Sequence, residues 1–413
     1  MFDPGSTGFM ILGAMLVFLM TPALAFFYGG LSRRKNVLNT MFMSIAVIGF
    51  VGVLWIVAGW SFAYGGDGSC PFFGGFDQIF CVGLLDNMLG CSDLALSHDT
   101  YPVLVDVAFQ AAFAIITIAI ITGSLAGRMK FGAVLAFISI WLLLVYAPLA
   151  HMVWGGDGSL IGDTIGALDF AGGDVVHISS GLTGLILCVL LGKRRGYGMM
   201  SYRPHNIPFV ALGASLLWFG WFGFNAGGAL GANSLAATAF INTDLGASAA
   251  MVTWLIISWI REKSPSFVGV LTGAVAGLAT ITPGAGFVKP WVAIIIGVLA
   301  GIICYAAVQL RKKLDWDDAL DVWGVHGVGG IIGTILLGIF ASKDVNGISG
   351  LIEGDVHQFG IQIFGTLLAS AYAFVITMLI LKVVNKFLPV RVTPEEERIG
   401  LDASLHHEEA YHL

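Results

Sequence analysis

Residues 169–181 read DFAGGDVVHISSG, and residues 321–333 read DVWGVHGVGGIIG. Each stretch sets one aspartate and then one histidine within a run of apolar residues long enough to cross a bilayer. Hydrocarbon cannot solvate an ionisable side chain, so such a residue at membrane depth marks a site by default. A single histidine on an apolar helix is most simply a side chain hydrogen-bonded to a neighbouring helix. Two of them, on separate runs, point instead to one shared site with the rest of the chain as its walls.

Composition agrees with that reading. Of 413 residues, 57% are hydrophobic and only 11% are charged, which is the balance of an all-α polytopic membrane protein. The 56 glycines fall mostly inside the apolar runs, where small residues let helix backbones approach closely. A net charge of -6 gives no sign of nucleic-acid binding. Crossing the hydrocarbon takes about 20 apolar residues. Eleven runs qualify: 7–31, 38–64, 103–127, 131–154, 169–192, 207–231, 241–260, 266–282, 290–310, 322–341 and 356–385.

Basic residues set the expected orientation, because cytoplasmic loops carry an excess of lysine and arginine. With eleven spans, all but Lys289 and Lys343 of the 20 basic residues fall on one side. The N-terminus is therefore expected outside and the C-terminus inside. Adding or removing one helix would throw every later basic cluster to the wrong side. Residues 1–386 are read as the transmembrane transport domain, and 387–413 as a cytoplasmic C-terminal tail. The opening MFDPGSTGFM has no basic residue, so it reads as the start of helix 1 and not as a signal peptide. Cys70, Cys81 and Cys91 share the loop between helices 2 and 3, where one disulfide of open connectivity is expected.

Helices 1–5 and 6–10 run with opposite topology, so the chain is expected to form two inverted five-helix repeats plus a final helix. The two histidines then occupy corresponding helices, 5 and 10, as in transport proteins that build a midplane site between inverted halves. On an ideal helix His177 would lie about 80° around and about 12 Å along from Asp169. That puts Asp169 at the outer end and His177 near mid-membrane. Asp174 falls about 60° from His177, on the side away from Asp169.

These and other motifs together resemble the ammonium transporter, methylammonium permease and Rhesus (Amt/Mep/Rh) family. The resemblance runs through FFYGGLSRRKN at 26–36, FQAAFA at 109–114, YAPLAHMVWGG at 146–156, LWFGWFGFNAGG at 217–228, ITPGAGFV at 281–288 and GLDASLHHEEAY at 400–411. The tryptophan after AHMV and the tail motif are those of the Amt branch. The resemblance implies a homotrimer in the plasma membrane with a pore through each subunit, and a transporter with no enzymatic activity, metal or cofactor. It places Phe113 and Trp154 at an outer recruitment site, where a cation is held by cation–π attraction. Phe113 and Phe224 become a gate, and His177 and His326 the paired imidazoles of a narrow pore. Asp169 shapes the outer site without touching the substrate. A PII-type nitrogen-signalling protein is implied as a partner on the cytoplasmic face.

Two positions depart from the family pattern. Many members carry serine where this chain has Gly228, so a hydroxyl that would accept a hydrogen bond from ammonium is missing, and a weak outer site is expected. Asp174 is an acid where the family is usually neutral, expected either to line the vestibule or to face a subunit contact.

A full charge at the bilayer centre costs several kcal/mol, and no TVGYG carbonyl filter is present. The expected cycle is therefore ammonium binding outside, deprotonation near the gate, passage of ammonia past the histidines and reprotonation inside. A second reading is an ammonium sensor acting through a separate protein. A third, from another class, is a haem carrier with His177 and His326 as axial ligands. The tail's composition favours a solvated end, whereas its motif predicts an ordered tail whose 395–397 EEE run docks on Arg33, Arg34, Lys193, Arg194, Arg195 and Lys312.

Overall fold

Eleven helices long and apolar enough to cross a bilayer follow one another in the computed structural model, which describes residues 2–84, 96–98, 100–200 and 202–411. They are α1 (Pro4–Leu31), α2 (Arg34–Tyr64), α3 (Val103–Leu125), α4 (Phe131–Trp154), α5 (Gly173–Leu191), α6 (Ile207–Gly227), α7 (Ser234–Glu262), α8 (Phe267–Gly284), α9 (Pro290–Lys313), α10 (Trp323–Phe340) and α11 (Val356–Phe387). Without water to take up backbone polar groups, each apolar run closes its hydrogen bonds within itself, so every expected span is a helix.

Helix ends follow capping side chains more than the edges of the apolar runs. Asp3 accepts from the Gly5 and Ser6 N–H groups at the start of α1. Helix α7 begins at Ser234, earlier than its apolar run, because the Asn233 side chain accepts from the Ala236 N–H at 2.9 Å. Asp355 caps α11 through the Gln358 N–H.

Helix α1 lies along α6 and against α3, while α7 packs on α8 and α9. Helices α5 and α10 meet between these two groups, and α11 rests on both of them. The two histidine-bearing helices share another feature: each begins with a wide, π-wound turn, Gly173–Ile178 and Trp323–Gly327, which contains its histidine. Such turns recur at functional sites, where they shift a side chain out of the regular helical register.

Between α2 and α3 the backbone forms a two-residue antiparallel ladder, β1 (Leu96–Ser97) with β2 (Tyr101–Pro102). Cys70 and Cys81 are free thiols, so the expected disulfide does not join these two, and Cys91 lies outside the described residues.

After α11 the chain turns back along the protein. Val390 and Val392 exchange backbone hydrogen bonds with Lys130 and Arg128, and a short helix α12 (Pro394–Ile399) starts on a capping box made by Thr393 and Glu396. The segment then docks on the start of α2. Leu401 N–H donates to Asn36 Oδ1, Lys35 Nζ donates to the Arg398 carbonyl, and Asp402 accepts from the Leu38 and Asn39 N–H groups at 3.1 and 2.8 Å. A carboxylate on the first N–H groups of a helix is well placed against the helix dipole.

This order contradicts the solvated end that composition favours. It also corrects the expected basis of docking. Of the acidic run, only Glu397 reaches the basic face, accepting from the Arg195 N–H and lying 3.3 Å from Arg391. Glu396 serves the capping box and Glu395 pairs with Arg398. Of the basic side chains expected to receive that run, Lys193 pairs with Asp315 and Arg194 with Asp317, while Arg34 lies over the ring of the tail's Tyr411 at 5.7 Å. The tail is therefore held mainly by backbone groups and by Asn36 and Asn39.

Candidate functional site

Helices α5 and α10 cross where each has a glycine. A Cβ placed on Gly181 would come within 2.1 Å of the Gly327 nitrogen, so α5 tolerates no side chain at the crossing, and one on Gly327 would be tight at 3.3 Å from the Gly181 carbonyl carbon. Gly181 follows His177 by one helical turn and Gly327 follows His326 directly, so the contact brings the two imidazoles together. Their Nδ1 atoms lie 3.2 Å apart and the rings are near-parallel, with centroids 5.3 Å apart. A hydrogen bond between two Nδ1 atoms requires one ring to donate and the other to accept. Neutral imidazoles in that pair carry opposite tautomers, Nδ1–H on one and Nε2–H on the other.

From the pair an aromatic ladder leads to one face of the protein. His177 stacks on Phe224 at 6.1 Å, Phe224 stacks on Phe113 at 4.1 Å, and Trp154 meets Phe113 edge-on at 6.2 Å. The two stacked phenylalanines separate a vestibule of about 470 Å³, lined by Trp154, Phe113, Gln110 and Gly228, from an apolar cavity of about 10 Å³. That small cavity touches both His177 and His326. Beyond His326 a second vestibule of about 500 Å³ opens, lined by Tyr28, Arg311 and Asp321 among others. The stacked phenylalanines, the imidazole pair and the two vestibules thus lie in series through the centre of the helix bundle.

The model of the Ammonium Transporter Family matches residues 8–411. The chain belongs to the ammonium transporter family. It is 46% identical over 98% of its length to the ammonium transporter of Bacillus subtilis, covering 98% of that protein. Among solved structures it is similar to Saccharomyces cerevisiae Mep2, with 34% identity, a TM-score of 0.86, and coverage of 95% of this chain and 88% of that one. A structure titled "Sensor Amt Protein" is similar at 30% identity and a TM-score of 0.86, covering 97% and 98% of the two chains.

Within this ammonium transporter family member, Asp169 does not sit on α5 as the helical projection assumes. The backbone turns at Gly172, with φ of 123°, and the helix starts at Gly173. Asp169 stands ahead of that start and accepts from the N–H groups of Gly172, Gly173, Asp174 and Val175 at 2.7, 2.7, 2.8 and 3.4 Å. Four N–H donors converge on one carboxylate at a helix N-terminus, which solvates a charge that hydrocarbon would not. The Asp169 carbonyl also accepts from Trp154 Nε1 at 2.8 Å, so the cap and the vestibule tryptophan are mechanically joined.

Asp174 neither lines the vestibule nor reaches a surface where another subunit would touch it. It occupies the first turn of α5, is fully buried, and neither carboxyl oxygen has a hydrogen-bond partner among the described residues. The later start of α5 is the reason the projection from Asp169 misplaced it. Gly228 does line the vestibule, but its surroundings are tight: a Cβ there would meet the Phe170 carbonyl oxygen at 2.9 Å and the Asn225 carbonyl oxygen at 3.1 Å.

A haem between the imidazoles does not fit. Their nitrogens bond directly, and the cavity reaching both rings holds about 10 Å³. Two further residues at the site escape the sequence reading. Trp221 stacks on His177 at 5.5 Å and donates to Thr282 Oγ1, and Tyr28 donates to the Ile120 carbonyl beside the second vestibule. Trp221 precedes Phe224 by three residues on one helix face, a spacing that would have flagged it.

Proposed function

We propose that the protein carries ammonium nitrogen across the plasma membrane, taking up the cation at the Trp154 vestibule and passing ammonia through the histidine-lined constriction. The aromatic and imidazole ladder carries this reading. Phe113 and Trp154 offer π faces to a cation, the stacked Phe113 and Phe224 close the path beneath them, and past the gate the cavity is about 10 Å³ and apolar. A charge entering that cavity would lose its water for little in return, whereas neutral ammonia loses far less. His177 and His326 offer it both a donor and an acceptor. Asp169 holds the vestibule in shape through Trp154 and does not meet the substrate.

In this reading the Trp154 vestibule and the N-terminus face outside, and the Arg311 vestibule, with the docked tail, faces the cytoplasm. Three copies assemble as a homotrimer with one pore each. The cytoplasmic face receives a PII-type signalling protein whose loop closes the pore exit.

Reconstituted protein on a lipid-supported membrane, pulsed with ammonium, tests the reading. Saturable currents or ammonium uptake support it. Ammonium binding with neither current nor uptake would favour the sensor reading, for which the resemblance to a structure titled as a sensor is the specific motive.

A further inference from the structure

The Trp154 vestibule contains a carboxylate that none of the assigned roles uses. Asp106 lies in the first turn of α3, lines the vestibule and is 7% exposed. Its Oδ2 accepts from Ser97 Oγ at 2.6 Å and stands 3.8 Å from His98 Nε2. Its Oδ1 is buried and has no hydrogen-bond partner among the described residues. One turn along, Gln110 lines the same vestibule, and its Oε1 is likewise buried without a partner. Leaving such acceptors unpaired is costly, so a donor belongs there.

Asp106, Gln110 and Phe113 succeed one another on one face of α3, at spacings of four and three residues. The two unpaired acceptors therefore form a line that ends at the gate, about 10 Å along the helix from Asp106. Among the described residues no lysine or arginine lines this vestibule, and Asp106 is its one carboxylate. The occupant that satisfies a carboxylate oxygen, an amide oxygen and two π faces is a small cation with several N–H donors.

We propose that Asp106, with Gln110 behind it, binds the ammonium cation on its way to Phe113 and Trp154, supplying the acceptor that Gly228 lacks. This rests on the transport reading above. It makes Asp106 a determinant of affinity for a primary or unsubstituted ammonium ion, and leaves the conduction step to the gate and the histidines.

Ammonium-evoked currents of reconstituted wild type, Asp106→Asn and Asp106→Glu, read across ammonium concentrations, test it. Asp106→Asn should raise the half-saturating concentration about tenfold, equivalent to about 1.4 kcal/mol, with the maximal current retained. Asp106→Glu should recover most of that loss. An unchanged half-saturation in Asp106→Asn, or a loss of maximal current alone, would overturn the proposal and make Asp106 a structural anchor for Ser97. Should Asp106→Asn not assemble, Ser97→Ala decides, because removing the donor to Oδ2 frees that oxygen for the cation. Half-saturation should then fall, and an unchanged or higher value overturns the proposal. Absence of any wild-type current and uptake is a separate result, which removes the transport reading itself.

Discussion

Gly181 lies directly against the backbone of Gly327, and this contact fixes how closely His177 and His326 approach. A Cβ on Gly181 would stand 2.2 Å from the Gly327 Cα, so even alanine forces α5 and α10 apart. The imidazole nitrogens are 3.2 Å apart and have little separation to spare before their hydrogen bond is lost. Gly181→Val should therefore lower ammonium flux by at least about tenfold while the protein still assembles, since small interfacial residues set helix spacing in membranes. Flux at the wild-type level would show that the crossing is free to adjust.

Removing the imidazoles tests the constriction directly. His177→Ala together with His326→Ala opens a cavity in a large bundle, at a cost such bundles tolerate. Selective ammonium transport should disappear while the size-exclusion profile stays that of wild type. Wild-type uptake by the double variant would mean that the apolar gate alone conducts ammonia.

The position of these residues shows how far sequence carries. Span count, the matched helices of the two histidines and the Phe113, Phe224 and Trp154 set are legible because apolar length and motif identity are local properties. Asp169 and Asp174 are misread because a helix start is set by a cap, and the turn at Gly172 moves that start by several residues. Asp106 goes unnoticed in sequence because nothing local distinguishes an acid at a helix start from one that faces a vestibule. The tail's motif correctly announces docking, while its composition misleads for a related reason: acidic residues say solvated, but Asp402 and Asn36 dock through backbone groups that no charge count registers.

Gly228 gives a prediction opposite to the one its missing hydroxyl invites. A serine there would add the acceptor, and a hydrogen bond to a charged group contributes about 1.5–3 kcal/mol. Yet the added Cβ would crowd the Phe170 carbonyl at 2.9 Å, and that carbonyl belongs to the segment that leads into the Asp169 cap. Gly228→Ser should bring no gain in affinity and should lower the melting temperature. A fall in half-saturating concentration at unchanged stability would show that the segment yields and the hydroxyl is used.

On the opposite face, Asp317 joins two arginines. It is 3.3 Å from Arg128, which is fully buried, and 2.5 Å from Arg194. Burial alone would raise the Asp317 carboxyl, but hydrogen bonds from Arg194 and the charges of Arg194 and Arg128 outweigh it and hold the group below its ordinary value. A depressed carboxyl contributes stability that is fully present above its unfolded value of about 3.9 and is lost as pH falls through the folded value. Wild type should thus lose melting temperature below about pH 4. Asp317→Asn, which leaves Arg128 buried without its counter-charge, should cost about 3–5 kcal/mol at neutral pH and flatten the acid limb. An acid limb of the same steepness in the variant would place the titration elsewhere.

The docked tail lends itself to a more selective test than truncation. Asp402 accepts two N–H groups at the start of α2, while Glu397 and Lys35 tie the preceding turn to Arg195 and to tail carbonyls. Removing the single carboxylate should release the end of the tail and leave α12 on its capping box. Burial holds the Asp402 carboxyl above its ordinary value even though the Asn39 and Leu38 N–H groups oppose the shift. A carboxyl raised in the docked state binds its proton more tightly there than when the tail is released, so, unlike the Asp317 cluster, its titration should hold or tighten docking as pH falls. Hydrogen exchange on the intact protein reads this directly. In Asp402→Ala the amides of Leu38 and Asn39 lose their acceptor, so their protection and that of residues 401–407 should drop by about tenfold or more, equivalent to about 1.4 kcal/mol. If docking supports conduction, transport by Asp402→Ala should fall toward that of a protein truncated after Phe387, with the size-exclusion profile of wild type kept in both. Unchanged exchange in Asp402→Ala would show that Asn36 and Lys35 suffice to hold the tail. Full transport by the truncated protein would show that docking has no part in conduction.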